Sequence, residues 1–284
     1  MPKLLSAPHG SELLAHNIAR DPRGILDPNS AYRQFFIDQM AANLAAGVEV
    51  FALDSFPLRG SYTDAEREAI LNAQLGIAAQ IGLFREGIEV VLAWCPTPFD
   101  CYLSDGKTPN QAEVKDALSF ALHFARAKHL ALLLETTPDE DTARHAAALT
   151  AQADVETVLS FTLDPTHPHL LRTGTSFAEA LSAAERENGH LRFGINCSTP
   201  NASVLDAILI QAQGRVKVLY PNAVEADPAT LECTCGTRHG LKEAQSSCQA
   251  LSRLAEKHHL DWIGWCCGGT VEDVGRLGLT GTLQ

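Results

Sequence analysis

Short runs of apolar residues alternate along this chain with longer stretches whose apolar residues recur at helical spacing. The short runs are Lys3–Ala7, Val48–Leu53, Ile88–Trp94, Leu130–Glu135, Thr157–Thr162, Arg192–Cys197, Arg215–Tyr220 and Asp261–Cys266. Each has the length and near-continuous apolar character of a strand buried on both faces. The spacing predicts helices over Ser30–Ala46, from Thr63 onward, and over Pro109–Lys128, Pro138–Ala153, Ser176–Asn188, Asn201–Gln213, Leu241–His259 and Val271–Leu277. Thr63-Asp64-Ala65-Glu66 has the spacing of a capping box, and Gly189 stands where a helix C′ glycine is expected. Strict alternation of eight strands with eight helices predicts an α/β fold, a (β/α)8 TIM-type barrel, as a single domain over residues 1–284. A doubly wound sheet is the alternative. It is disfavoured because no Gly-x-Gly-x-x-Gly follows the first strand.

The barrel expectation turns attention to the strand ends, because barrel chemistry sits where strands run into βα loops. Two of those ends carry cysteine: Phe193-Gly194-Ile195-Asn196-Cys197 and Ile263-Gly264-Trp265-Cys266-Cys267-Gly268-Gly269. Three thiolates converging there would suit one soft metal ion, zinc above all, with a fourth position open for chemistry. Neighbouring residues of an extended strand face opposite ways. Cys266 and Cys267 therefore reach one ion only if the chain bends, and Gly264, Gly268 and Gly269 permit the bend. Small buried cysteines in barrel strands are the competing explanation. A bridge between adjacent cysteines would be strained.

Composition narrows the setting. With 22 basic and 34 acidic residues the net charge is −12, which argues against a nucleic-acid partner. No apolar run approaches the ~20 residues of a membrane span. The N-terminal Met1-Pro2-Lys3-Leu4-Leu5-Ser6-Ala7 is too short in apolar residues for a secretory signal. These features lead us to expect a cytoplasmic protein with mostly reduced cysteines and small-molecule partners. They leave homo-oligomer formation open.

At the cysteine segments the chain resembles the homocysteine S-methyltransferase family, whose pattern is Gly-Val/Ile-Asn-Cys followed by Gly-Gly-Cys-Cys-Gly/Arg. Here these read Gly194-Ile195-Asn196-Cys197 and Gly264-Trp265-Cys266-Cys267-Gly268. Gly10-Ser11-Glu12-Leu13, the loop Pro98–Gly106, Glu135-Thr136-Thr137-Pro138 and Tyr220-Pro221-Asn222-Ala223-Val224-Glu225 are similar to further family segments. The resemblance implies zinc held by Cys197, Cys266 and Cys267, and Glu135 meeting the amino group of homocysteine. It implies methyl transfer to that thiol, giving methionine, from an onium donor. S-methylmethionine leads, because no length remains after the last strand for folate or cobalamin domains; betaine and S-adenosylmethionine stay open. The alternatives are methyl transfer to another thiol and a non-catalytic zinc- or thiol-binding barrel.

The chain departs from the family pattern in places. The usual Leu-Asp-Gly-Gly-Met-Gly-Thr reads Leu5-Ser6-Ala7-Pro8-His9-Gly10-Ser11, and Trp265 replaces a glycine. Asp54, at the end of the second strand, is a candidate for the missing carboxylate, with helix or turn capping as the other role. Asn196 is a candidate for holding a loop or touching substrate, and Glu135 for capping the next helix. His9 is the best-placed histidine. Phe56, Phe99, Tyr102 and Trp265 are candidates for an apolar wall around a cationic methyl donor. Cys95 and Cys101 flank the loop after strand three. Cys233-Thr234-Cys235 is too closely spaced for a usual zinc hairpin. His167 and His169 read as solvated, and His258-His259 as helix-end residues.

Overall fold

The computed structural model describes residues 1–6, 13, 18, 21–59, 62–98, 100–223 and 244–279. Eight parallel strands form one sheet: β1 Lys3–Leu4, β2 Val50–Leu53, β3 Glu89–Trp94, β4 Ala131–Thr137, β5 Thr157–Phe161, β6 Arg192–Asn196, β7 Val216–Tyr220 and β8 Trp262–Ile263. Their order is β1-β8-β7-β6-β5-β4-β3-β2. The two ends meet through a parallel bridge between Leu5 and Val50, with Ser6 N–H donating to Val50 O at 2.8 Å. The sheet is thereby closed into the expected (β/α)8 barrel.

A helix follows each strand: α1 Ala31–Ala45, α2 Asp64–Gln80, α3 Gln111–Lys128, α4 Glu140–Ala153, α5 Phe177–Glu187, α6 Ala202–Gln211, α7 Ala244–His258 and α8 Val271–Leu279. Several of their starts are set by side-chain caps. Thr63 and Glu66 form the anticipated capping box, and Asn110 with Glu113 forms a second. Asp139 caps α4 by accepting from Thr142 N–H at 2.9 Å, so the helix starts two residues after the predicted Pro138. Gly189 is not the left-handed stop expected after α5. The chain leaves that helix extended at Asn188 (φ −146°), whose amide donates to Thr150 Oγ1. No helix among the described residues is long and apolar enough to cross a membrane.

Strand alternation divides the core into two layers. Phe51, Leu92, Leu132, Leu134, Leu159, Phe161, Phe193, Ile195 and Leu219 point outward and pack under the helices. Leu5, Val50, Val91, Ala93, Leu133, Val158, Val218, Tyr220 and Trp262 fill the barrel itself. Ser160 and Gly194 lie in register on neighbouring strands. A Cβ at Gly194 would stand 2.9 Å from Ser160 Oγ and 3.2 Å from Val218 Cβ, so only glycine fits against those two walls.

Candidate metal centre and its surroundings

The three predicted thiols do converge. Cys197, Cys266 and Cys267 hold their sulfurs within 4.8 Å of one another. Cys197 Sγ lies 3.8 Å from Cys267 Sγ and is joined to Cys266 Sγ. Three thiolates about 2.3 Å from a tetrahedral zinc are spaced about 3.8 Å apart, so the set fits that ion once the sulfurs are reduced. Cys197 is buried, whereas Cys266 and Cys267 are half-buried.

The chain reaches this arrangement differently from the sequence expectation. The last strand ends at Ile263, not at Cys266. Gly264 packs so closely on Leu5 that a Cβ would lie 3.0 Å from that residue's own Cβ. Past that point the segment is held by Cys266 N–H donating to Pro221 O at 2.7 Å. A turn follows, closed by Gly269 N–H to Cys266 O at 3.0 Å, with Gly268 at φ +81° in its third position. That position of a tight turn commonly requires a positive φ, which glycine adopts without strain. The turn directs both neighbouring sulfurs to one side.

Cys197 is the first residue past β6 and has φ +46°. Thr162 Oγ1 donates to its carbonyl at 3.2 Å, and Ser198 Oγ donates to Asn196 O at 2.9 Å. These bonds hold the unusual backbone in place.

Glu135 lies on β4, two residues after the inward-facing Leu133. The β4–β5 register shifts between Leu134 and Thr137, which places a bulge at Glu135-Thr136. Thr136 has φ +61°. Its N–H donates to Asn196 Oδ1 and its Oγ1 accepts from Asn196 Nδ2, both at 2.9 Å. Tyr220 is fully buried beside Glu135 and Ser160. Burial first, and the negative charge of Glu135 second, push its phenol well above the ordinary range. These neighbours were not assigned roles from the sequence. Ser160 was findable as a polar residue at an inward strand position, and Tyr220 as the inward residue closing β7.

Other sequence candidates fall elsewhere. The Asp54 carboxylate is buried and accepts from Tyr32 Oη at 2.9 Å, while its backbone is clasped by the Gln74 amide. Asp54 thus ties β2 to α1 and α2. Trp265 does not line the mouth. Its side chain is 2% exposed and belongs to the layer between barrel and helices, beside Cys248. The reason is alternation: Cys266 packs toward the barrel interior, which turns Trp265 outward. Phe56 opens a short 3-10 helix after β2, half-buried. The Tyr102 ring carries the Arg172 guanidinium at 5.4 Å. Cys95 is buried with its sulfur 3.2 Å from Thr97 Oγ1, and Cys101 is buried as well. His167 and His169 are exposed, and His258 Nε2 meets Asp206 at 2.6 Å on the helical surface. His9, Phe99, Cys233 and Cys235 lie outside the described residues.

A barrel that gathers three thiols at the C-terminal ends of its strands, with a carboxylate on β4 against the buried Tyr220, defines a class of enzyme scaffold, and its sequence gives it a family. The chain belongs to the homocysteine S-methyltransferase family, whose sequence model matches residues 59–278. It is therefore placed among methyltransferases. No curated protein matches it by sequence. Among solved structures it is similar to the homocysteine methyltransferase MmuM from Escherichia coli. The oxidized form of that protein superposes with a TM-score of 0.74 at 16% identity, covering 98% of this chain and 95% of that one. The metallated form gives 0.73 at 18% identity, covering 98% and 96%. The apo form gives 0.71 at 17%, covering 98% and 95%. At such identities the likeness speaks for the barrel fold alone.

Proposed function

We propose that this protein is a zinc-dependent S-methyltransferase that moves a methyl group from an onium donor, S-methylmethionine in first place, to homocysteine, giving methionine. The carrying observation is the trio Cys197, Cys266 and Cys267, whose sulfurs lie within 4.8 Å of one another at the mouth of a family barrel. These three residues would hold zinc through their thiolates. Bound there, zinc supplies a Lewis acid that lowers the pKa of a substrate thiol so that it is ionised at neutral pH. A metallated form of the MmuM neighbour supports the assignment of a metal to such a barrel.

The chain's own residues do the rest. Glu135 accepts hydrogen bonds from the substrate ammonium, which fixes the distance between amino group and sulfur. Asn196 holds the strand segment that carries Glu135. Tyr220 and Ser160 form the polar floor beneath it. The substrate sulfur forms its new bond to the donor methyl carbon as the carbon–sulfonium bond opposite breaks. The bonding pair of electrons leaves with the demethylated donor, and no enzyme atom enters the bond. Aligning two reactants in a closed mouth converts a bimolecular encounter into an oriented one, which accounts for much of the rate. The protein is read as one domain over residues 1–284, acting in the cytoplasm.

Metal analysis of the reduced Cys197→Ala variant tests the trio. Loss of stoichiometric zinc is expected; a variant retaining one zinc per chain refutes it. Turnover of homocysteine across a panel of S-methylmethionine, betaine and S-adenosylmethionine tests the donor.

A further inference from the structure

The residues behind Glu135 form a device that the metal and the substrate do not by themselves require. Among described non-glycine residues with positive φ, His129 and Asp154 cap helix ends, whereas Thr136 lies inside a strand. A β-branched residue in this region is a genuine outlier, and such backbone persists only when its surroundings over-determine it. Here one side chain among those surroundings makes two hydrogen bonds to the residue. Asn196 is 1% exposed and spends both ends of its amide on Thr136, accepting from its N–H and donating to its hydroxyl. It reaches from β6 across the end of β5 to β4 to do so. Two residues of β4, Glu135 and Thr136, stand where β5 offers one, so the bulge decides which way Glu135 faces.

We infer that Asn196 is a positioning residue: by clamping Thr136 in its left-handed conformation it aims Glu135 at the substrate ammonium, and so sets the enzyme's preference for an amino-acid thiol. The inference rests on the reading that Glu135 meets that ammonium. Asn196 directly precedes Cys197, so the clamp also fixes the separation between the ammonium site and the thiol cluster. That separation is what distinguishes homocysteine from a thiol of other length or lacking the amine.

The test is equilibrium binding to the reduced, zinc-loaded full chain, measured by calorimetry, with homocysteine and with 4-mercaptobutanoate, the same skeleton without the amine. Wild type is expected to prefer homocysteine by about tenfold to a hundredfold, the range of a charged hydrogen-bonded contact. Glu135→Gln removes most of that preference. Asn196→Ala removes it to a similar degree while leaving affinity for 4-mercaptobutanoate and zinc content near wild type. The double variant loses no more than either single one. Thr136→Val deletes only the hydroxyl partner and gives an intermediate loss, which keeps the inference testable if Asn196→Ala folds poorly. In the Asn196→Ala background, Thr136→Gly recovers part of the preference, because glycine occupies positive φ without a clamp. If Glu135→Gln loses the preference but Asn196→Ala and Thr136→Val keep it, the positioning role is overturned and the Glu135 reading stands. If Glu135→Gln itself keeps it, the Glu135 reading falls and the inference with it.

Discussion

Replacing Gly269 by alanine asks whether the turn after β8 sets the thiol geometry. An added Cβ would lie 2.4 Å from Trp265 Cβ and 3.1 Å from the Cys266 carbonyl oxygen. Carbon atoms in contact sit about 3.5–4.0 Å apart, so something must move by about 1 Å or more. Trp265 is 2% exposed and its Cβ is fixed to the backbone, so it has nowhere to swing. The displacement falls on the turn that carries Cys266 and Cys267. Overpacking of this kind costs about 1–3 kcal/mol. Unfolding entropy near ~2.1 cal/mol/K per residue, over 284 residues, converts that to a fall of about 2–5 °C in Tm. A metal site tolerates ligand shifts of only about 0.2 Å, so zinc affinity is expected to drop at least about tenfold. The assay pairs a thermal melt of the reduced apoprotein with zinc titration against a competing chelator. Gly82→Ala is the control. Gly82 has φ +78° with no atom within 4 Å of an added Cβ, so it loses stability through backbone strain alone. Gly269→Ala and Gly82→Ala with matching Tm losses and wild-type zinc affinity in both would refute the reasoning.

Further expectations concern other parts of the barrel. Burial first, and the nearby Asp273 second, push the Cys248 thiol up to about 11. In the reduced native protein at pH 8 it should resist iodoacetamide while Cys267 reacts, as read by peptide mass spectrometry; equal labelling would contradict its burial. Tyr32→Phe leaves the buried Asp54 carboxylate without its hydroxyl donor. It should cost about 1–3 kcal/mol in urea unfolding with little change in homocysteine KM. A raised KM with unchanged stability would instead return Asp54 to the substrate site. Asp139→Ala removes the α4 cap and should cost about 0.5–2 kcal/mol by the same unfolding assay, with zinc content unaffected.

Much of this protein was legible in the chain because the information was local. Strand position, helical spacing and the Thr63–Glu66 cap depend on neighbours in sequence, and each appears on the segment where the pattern put it, although β1 and β8 are shorter than their apolar runs. Eight alternating units then left little choice but a barrel, and a barrel sends its strand ends to one face. The convergence of Cys197 with Cys266 and Cys267 follows from that topology, although they are some seventy residues apart. Tertiary structure decided what depends on direction. Whether Trp265 faced the mouth or the helices turned on which face β8 presents inward: Trp262 and Cys266 pack into the barrel, so Ile263 and Trp265 face the helices. Whether Asp54 met substrate or protein turned on Tyr32, a residue of another element. The Glu135–Thr136 bulge and its clamp by Asn196 involve β4 and β6 with β5 between them, and no sequence period records a register shift. Periodicity specifies which residues are buried; only packing between distant strands specifies which way the polar ones among them point.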